Sequence, residues 1–144
     1  RVGVELQTEV GRIQNLLLRD IRGAESVSNY PEIDPIFQSD ADTLVLRLPS
    51  INIDGDVIPA SFDYIIYEIS DSGPYAITRQ LVANGAGRTS DSQVISTNVS
   101  AIAYHYDASP ITTANNIDAE ITVSKIYQST PNTLTTSLTV RMRN

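Results

Sequence analysis

The stretch VELQTEVGRIQNLLLRDIRGAESV, residues 4–27, decides the fold. Leu6, Val10, Ile13, Leu17, Ile21 and Ala24 recur at steps of three or four. That spacing puts one apolar stripe on a helix of period 3.6, with Leu16 alongside it. Glu5, Glu9, Arg12, Arg19, Asp20 and Arg22 fall mainly on the other side. Gly11 and Gly23 each cost up to about 1 kcal/mol against alanine, so packing rather than propensity must hold the helix together. The stripe predicts a lid closing over a sheet, with Leu6, Val10, Ile13, Leu17, Ile21 and Ala24 as the packing face. It should sink into the body from about Val10 onward. The helix is expected to end near residues 27–29, with Asn29 as a left-handed cap, so residues 1–28 form a helical spine.

Downstream, the period changes to two. Tyr30 to Ala41 reads as a loop with Pro31 and Pro35, anchored by Ile33, Ile36 and Phe37. Thr43–Leu48 alternates as a strand, with Leu44, Leu46 and Leu48 on one face. Phe62–Ile69 is apolar on both faces, which predicts a central strand. Residues 71–74, Asp-Ser-Gly-Pro, read as a hairpin loop leading to a return strand over Tyr75–Val82. Asn84–Ser92 reads as a flexible polar loop, and Gln93–Val99 is ambiguous. Val99–Tyr106, Asp118–Tyr127 and Leu134–Met142 complete about six strands. Connections this short require mostly antiparallel pairing. One helix followed by strands predicts an α+β fold: an N-terminal amphipathic helix packed on one twisted antiparallel sheet. Residues 1–144 are expected to form a single domain, with residues 29–144 supplying loops and sheet.

Composition narrows the function. The chain has 144 residues, enough for one domain with a real core. Its net charge of −7 argues against binding a phosphate backbone, which calls for a basic stripe. No apolar run of about 18 residues appears, so no membrane span is expected within it. It has no cysteine, which removes disulfides and thiolate metal sites.

Motifs for chemistry are sparse. His105 is the sole histidine and sits between Tyr104 and Tyr106 in a strand. A catalytic triad assembles in space rather than in sequence, but no Gly-x-Ser-x-Gly elbow accompanies this residue. Asp40 and Asp42 precede the first strand, and Asp54 and Asp56 flank Gly55. These four, with Asp107, are the candidate oxygens for calcium, a cation that gathers several oxygen ligands. Neither cluster has the twelve-residue loop closed by a glutamate, and turn chemistry accounts for aspartates at such places. Residues 84–88, Asn-Gly-Ala-Gly-Arg, lack the Gly-x-x-x-x-Gly-Lys pattern of a phosphate loop. Asn98-Val99-Ser100 matches a glycosylation sequon at a strand start. The strand tyrosines are expected to serve the core or a sheet face.

Several stretches together resemble a known family. Residues 16–24, Leu-Leu-Leu-Arg-Asp-Ile-Arg-Gly-Ala, look like an L-x-R-D-[LI]-R-x-A helix end. Residues 40–47, Asp-Ala-Asp-Thr-Leu-Val-Leu-Arg, look like a D-S-D-x-L-x-L-x first strand. Residues 64–81 fit an aromatic Y-x-I strand, a short turn and an L-x-R return strand, here Ile77-Thr78-Arg79. Residues 93–106, QVISTNVSAIAYHY, look like V-[LI]-x-x-N-V-x-x-[LI]-x-F-x-Y, and Arg143-Asn144 matches a frequent ending. In this order they resemble the minor pilins and pseudopilins of type IV pili and type II secretion systems.

The resemblance implies a pilin-like fold and a non-enzymatic structural subunit of a pilus or a related secretion or competence fibre. Assembly would run through the N-terminal helix and head contacts with other pilin or pseudopilin subunits. It implies a prokaryotic cell-envelope protein, made as a membrane-anchored precursor with its head outside the cytoplasm. The anchor would be an apolar helical half that this chain does not include, since residues 2–8 are not such a segment. Glu5 is therefore given no assembly role. The alternative within the same machinery is a tip subunit for adhesion or DNA uptake, drawing on Arg79, Arg88, Lys125, Arg141 and Arg143. The sequence supports neither an enzyme nor a bound cofactor beyond the weak calcium candidates.

Overall fold

A computed structural model describes residues 2–28, 39–70 and 75–142. The anchors Ile33, Ile36 and Phe37, the Asn29 cap, the 71–74 turn and Arg143 lie outside the described residues. Helix α1 spans Val2–Gly23. It ends about four residues earlier than expected, because Ser26–Val27 leaves it as a short strand, β1, paired with Arg47 and Leu46. The other strands are β2 (Thr43–Ile51), β3 (Val57–Ile69), β4 (Ile77–Val82), β5 (Asp91–Ser96), β6 (Val99–Tyr106), β7 (Asn116–Tyr127) and β8 (Thr130–Arg141).

All pairings are antiparallel, but they make two sheets rather than one. The first has the order β1-β2-β3-β4-β5 and the second β6-β7-β8. The expected pilin-like α+β fold with a single sheet is therefore corrected: the protein is mostly antiparallel β, with one N-terminal helix. The break falls at Thr97 and Asn98. Short links usually return a strand beside its predecessor, but here the chain leaves β5 and starts a new sheet. Glu9 on α1 grips that corner, accepting hydrogen bonds from Ser96 Oγ at 2.5 Å and Asn98 Nδ2 at 2.9 Å. A register shift between Val99 and Ala101 follows at once.

The helix is the common floor of both sheets. It packs chiefly on β7 and β8, and more lightly on β2 and β5. Leu6, Val10, Ile13, Leu17, Ile21 and Ala24 are all buried, with Ile13 and Leu17 fully so. Burial starts one turn earlier than expected, at Leu6, which is 2% exposed. Against them lie Leu44 and Leu46 of β2, Ile65 and Tyr67 of β3, Ile77 of β4, and Ile117, Ile121 and Val123 of β7. Burying side chains of this size contributes about 1.5–3 kcal/mol each, more than the two helical glycines cost.

β3 lies at the centre of its sheet, and its two apolar faces have separate partners. Ile65 and Tyr67 join the main core, while Tyr64 and Ile66 cluster with Val45 on the other side. β7 and β8 meet through a two-residue turn in which Gln128 and Ser129 both have positive φ, 51° and 63°. Two left-handed residues in succession match the twist of a hairpin. β8 therefore starts at Thr130, earlier than the alternation of Leu134–Met142 suggested, and takes in Pro131. A proline fits there because β8 is an edge strand.

Candidate functional site

The most concentrated polar site lies where α1 meets β3 and β4. Asp20 is 5% exposed, although the helix pattern put it on the solvent side. It sits on the flank of the apolar stripe, next to Ile21, and that flank faces the sheet. Arg79 of β4 meets it with two hydrogen bonds, Nε to Oδ2 at 2.7 Å and Nη2 to Oδ1 at 3.2 Å. Tyr67 of β3 donates its hydroxyl to Oδ2 at 2.5 Å. Arg19, largely exposed, donates to Oδ1 from outside at 3.2 Å.

The electrostatics follow from that geometry. Burial works against the charge on Arg79, but hydrogen bonds and attraction to Asp20 outweigh it and hold the guanidinium more firmly protonated than usual. Burial, then the nearby Asp20 charge, pushes the Tyr67 phenol well above its ordinary range. The site thus fixes a charged pair and a neutral phenol in one arrangement.

A second lock joins β2, β3 and the loop after β4. The Asp63 side chain is fully buried. It accepts from Arg88 Nη1 at 2.7 Å, Ser50 Oγ at 2.7 Å and the Asn84 amide at 2.7 Å. Desolvation would raise its pKa, but these donors, led by Asn84 and Arg88, hold it below the usual carboxylate value. Arg88 also donates to the Pro49 carbonyl at 2.8 Å.

This lock explains the Asn-Gly-Ala-Gly-Arg loop. A Cβ on Gly85 would lie 2.4 Å from the Ile51 carbonyl oxygen, and one on Gly87 2.3 Å from that of Asn52. The glycines let the loop backbone lie against the end of β2, where the Gly87 amide donates to Ile51 at 2.9 Å. The loop read as flexible is pinned at both ends. Its glycines serve chain packing, not a phosphate.

The acidic clusters are turns. Asp40 Oδ1 accepts the amides of Asp42 and Thr43 at 3.0 and 2.8 Å. In the β2–β3 turn, Asn52 Oδ1 accepts the amides of Asp54 and Asp56. Asp40 and Asp42 stand at one end of β2, and Asp54 and Asp56 at the other. Asp107 is engaged elsewhere, by the Asn115 amide and Asn116 Nδ2. Among the described residues, no group of three or more histidine, cysteine, aspartate or glutamate side chains is placed to hold a metal.

The remaining candidates scatter. His105 is exposed on β6, across from Asp118. The Asn98 side-chain amide is bonded to Glu9. A cleft of about 400 Å³ between the starts of β2 and β6 is lined by Asp42, Glu68, Ser70, Tyr75 and Ser100, with no histidine or lysine. Of the five cations named for a nucleic-acid surface, three are paired with acids: Arg79 with Asp20, Arg88 with Asp63, and Lys125 with Glu5; Arg141 is exposed on β8, and Arg143 lies outside the described residues.

What the structure does bring together are the separate sequence stretches. Asp20, in the Arg-Asp-Ile-Arg segment of the helix, meets Arg79 of Ile77-Thr78-Arg79. Tyr106, ending residues 93–106, donates its hydroxyl to the Asp40 carbonyl at 2.8 Å. The Tyr104 amide donates to Ala41 at 2.7 Å. Asp63 and Glu9 were missed as linchpins. For Asp63 the signal was a carboxylate inside a strand apolar on both faces. No protein-family model matches the chain, and neither does any curated protein or solved structure. Among the described residues, no helix is long and apolar enough to cross a membrane.

Proposed function

We propose that the chain is a non-enzymatic structural subunit, a minor pilin or pseudopilin of a type IV pilus or a related secretion or competence fibre. The observation that carries this reading is the Asp20–Arg79 pair, which joins two of the sequence stretches on which the resemblance rests. A fibre subunit has to transmit load between its helix and its head. Here a charged pair and a tyrosine fasten the helix to the strands, and Glu9 fastens it again at the corner between the sheets. The polar residues are spent on holding elements together, which suits a load-bearing part. On this reading the partners are other subunits of the fibre, and the head is displayed outside the cytoplasm of a prokaryotic cell.

The test is the coding sequence upstream of residue 1. The reading expects an apolar segment of membrane-spanning length there, preceded by a glycine cleavage site. Polar codons of an unrelated domain in that place would contradict it.

A further inference from the structure

Two sheets have four outer strands, and three of them are blunted. β1 is two residues long. β5 is six residues long, opens on Asp91, and has the Arg12 guanidinium bonded to its Ile95 carbonyl. β6 is occupied on its outer side, where the Tyr104 amide donates to Ala41 and Tyr106 reaches back to Asp40 and Thr43. β8 is different. It has twelve residues in unbroken register with β7, and among the described residues no strand lies on its other side. From Asn132 to Val140 it carries no charge and no proline. Exposed edges of that length are normally guarded by such residues, because unpaired amides and carbonyls template another strand.

A second observation falls on the same side of the molecule. Gln14 Nε2 donates to Thr136 Oγ1 at 3.0 Å, so this flank of α1 overlies the middle of β8. At 3.6 residues per turn, Gln7, Gly11 and Leu18 share that flank. A Cβ on Gly11 would meet nothing within 4 Å. Among the described residues nothing requires a glycine there, and it leaves a notch on the helix surface lined by Gln7, Thr8, Arg12 and Asn15.

We propose that two copies of this chain pair through antiparallel β8 strands about a two-fold axis near Thr136, joining the two three-stranded sheets into one of six. Three features favour a second copy as the occupant. β8 is compatible with itself: antiparallel pairing about Thr136 sets Thr135 against Ser137, Thr133 against Thr139 and Leu134 against Leu138, and each Arg141 meets Pro131 of the other strand. The acidic residues Asp118 and Glu120 lie on β7, so those of the two copies stand about 14 Å apart across three strand spacings. That exceeds a Debye length of about 8–10 Å, so the net charge of −7 does not prevent the approach. The two-fold also turns the flanks carrying Gly11 toward each other. This contact is closed and isologous, and it stands independently of the fibre reading.

Sedimentation velocity on the chain from about 10 µM to about 1 mM, the range of a small transient interface, is the test. The expected result is a shift from 15.7 kDa toward twice that mass. Thr135→Lys with Ser137→Lys places lysines against the pairing strand, while residue 137 gains Glu120 as its cross-strand neighbour, so folding is kept. Gly11→Leu fills the notch and favours the helix. Both variants are expected to keep or raise Tm and to weaken dimerisation tenfold or more. A wild-type chain that stays at 15.7 kDa up to about 1 mM overturns the proposal. So does a dimer that both variants leave intact, or one that Val94→Lys on β5 abolishes instead.

Discussion

Asp20 of the helix and Arg79 of β4 meet through two charge-assisted hydrogen bonds, and Tyr67 of β3 donates to the same carboxylate. With both charged side chains largely out of water, the pair fixes where the helix sits along the sheet. A buried pair of this kind adds little net stability against an apolar replacement, but breaking it on one side is costly.

Asp20→Ala leaves Arg79 without its buried partner and is expected to cost about 3–5 kcal/mol in urea unfolding. Asp20→Leu combined with Arg79→Leu is expected to recover most of that loss. A double-variant loss equal to the sum of the two single-variant losses would mean that the two residues do not act as a pair.

The two classes of glycine should part in sign. Gly87→Ala drives a Cβ against the Asn52 carbonyl and Ile51, and is expected to destabilise by about 1–3 kcal/mol. Gly11→Ala meets open space and should stabilise by up to about 1 kcal/mol. Thermal unfolding of the two variants, read side by side, checks both.

Acid stability should depend on Asp63. Its folded pKa lies below the ordinary aspartate value of 3.8, so its contribution is present above that value and is lost as pH falls through the folded pKa. Asp63→Asn is therefore expected to flatten the stability curve below about pH 4, as well as to lower it at neutrality. Urea titrations stepped through that range measure it.

At the alkaline end, the phenols of Tyr67, Tyr104 and Tyr106 are all raised, chiefly by burial. A raised phenol contributes stability below its unfolded pKa and loses it as pH climbs toward the folded value. Stability should therefore fall above about pH 10. These three are expected to ionise in one step together with unfolding, seen as coincident ultraviolet absorbance and circular dichroism transitions.

The helix was legible because a period of 3.6 survives almost any context: the six apolar positions from Leu6 to Ala24 are the six that the core buries. Strand β3 was legible as central for a similar reason, since apolar residues on both faces need cover on both. The division into two sheets was not. Alternation within β5 and β6 says which way side chains point, not whether Val99 returns beside Ser96, and the Glu9 contact that marks the corner spans 89 residues to Asn98. Asp20 and Asp63 were hidden for a related reason. A carboxylate reads as solvent-facing until its partners, Arg79 and Arg88, arrive from distant strands and loops.

The proposed role is that of a structural subunit of a pilus or a related secretion or competence fibre. Fractionating cells of its native host, with shear-released fibres and envelope probed separately from cytosol, tests it most directly when paired with deletion of the gene. The account predicts the chain in the fibre or envelope fraction, loss of fibre assembly, secretion or DNA uptake on deletion, and failure of an Asp20→Ala copy to restore it. A chain confined to the cytosol, with fibres, secretion and uptake intact after deletion, would contradict it.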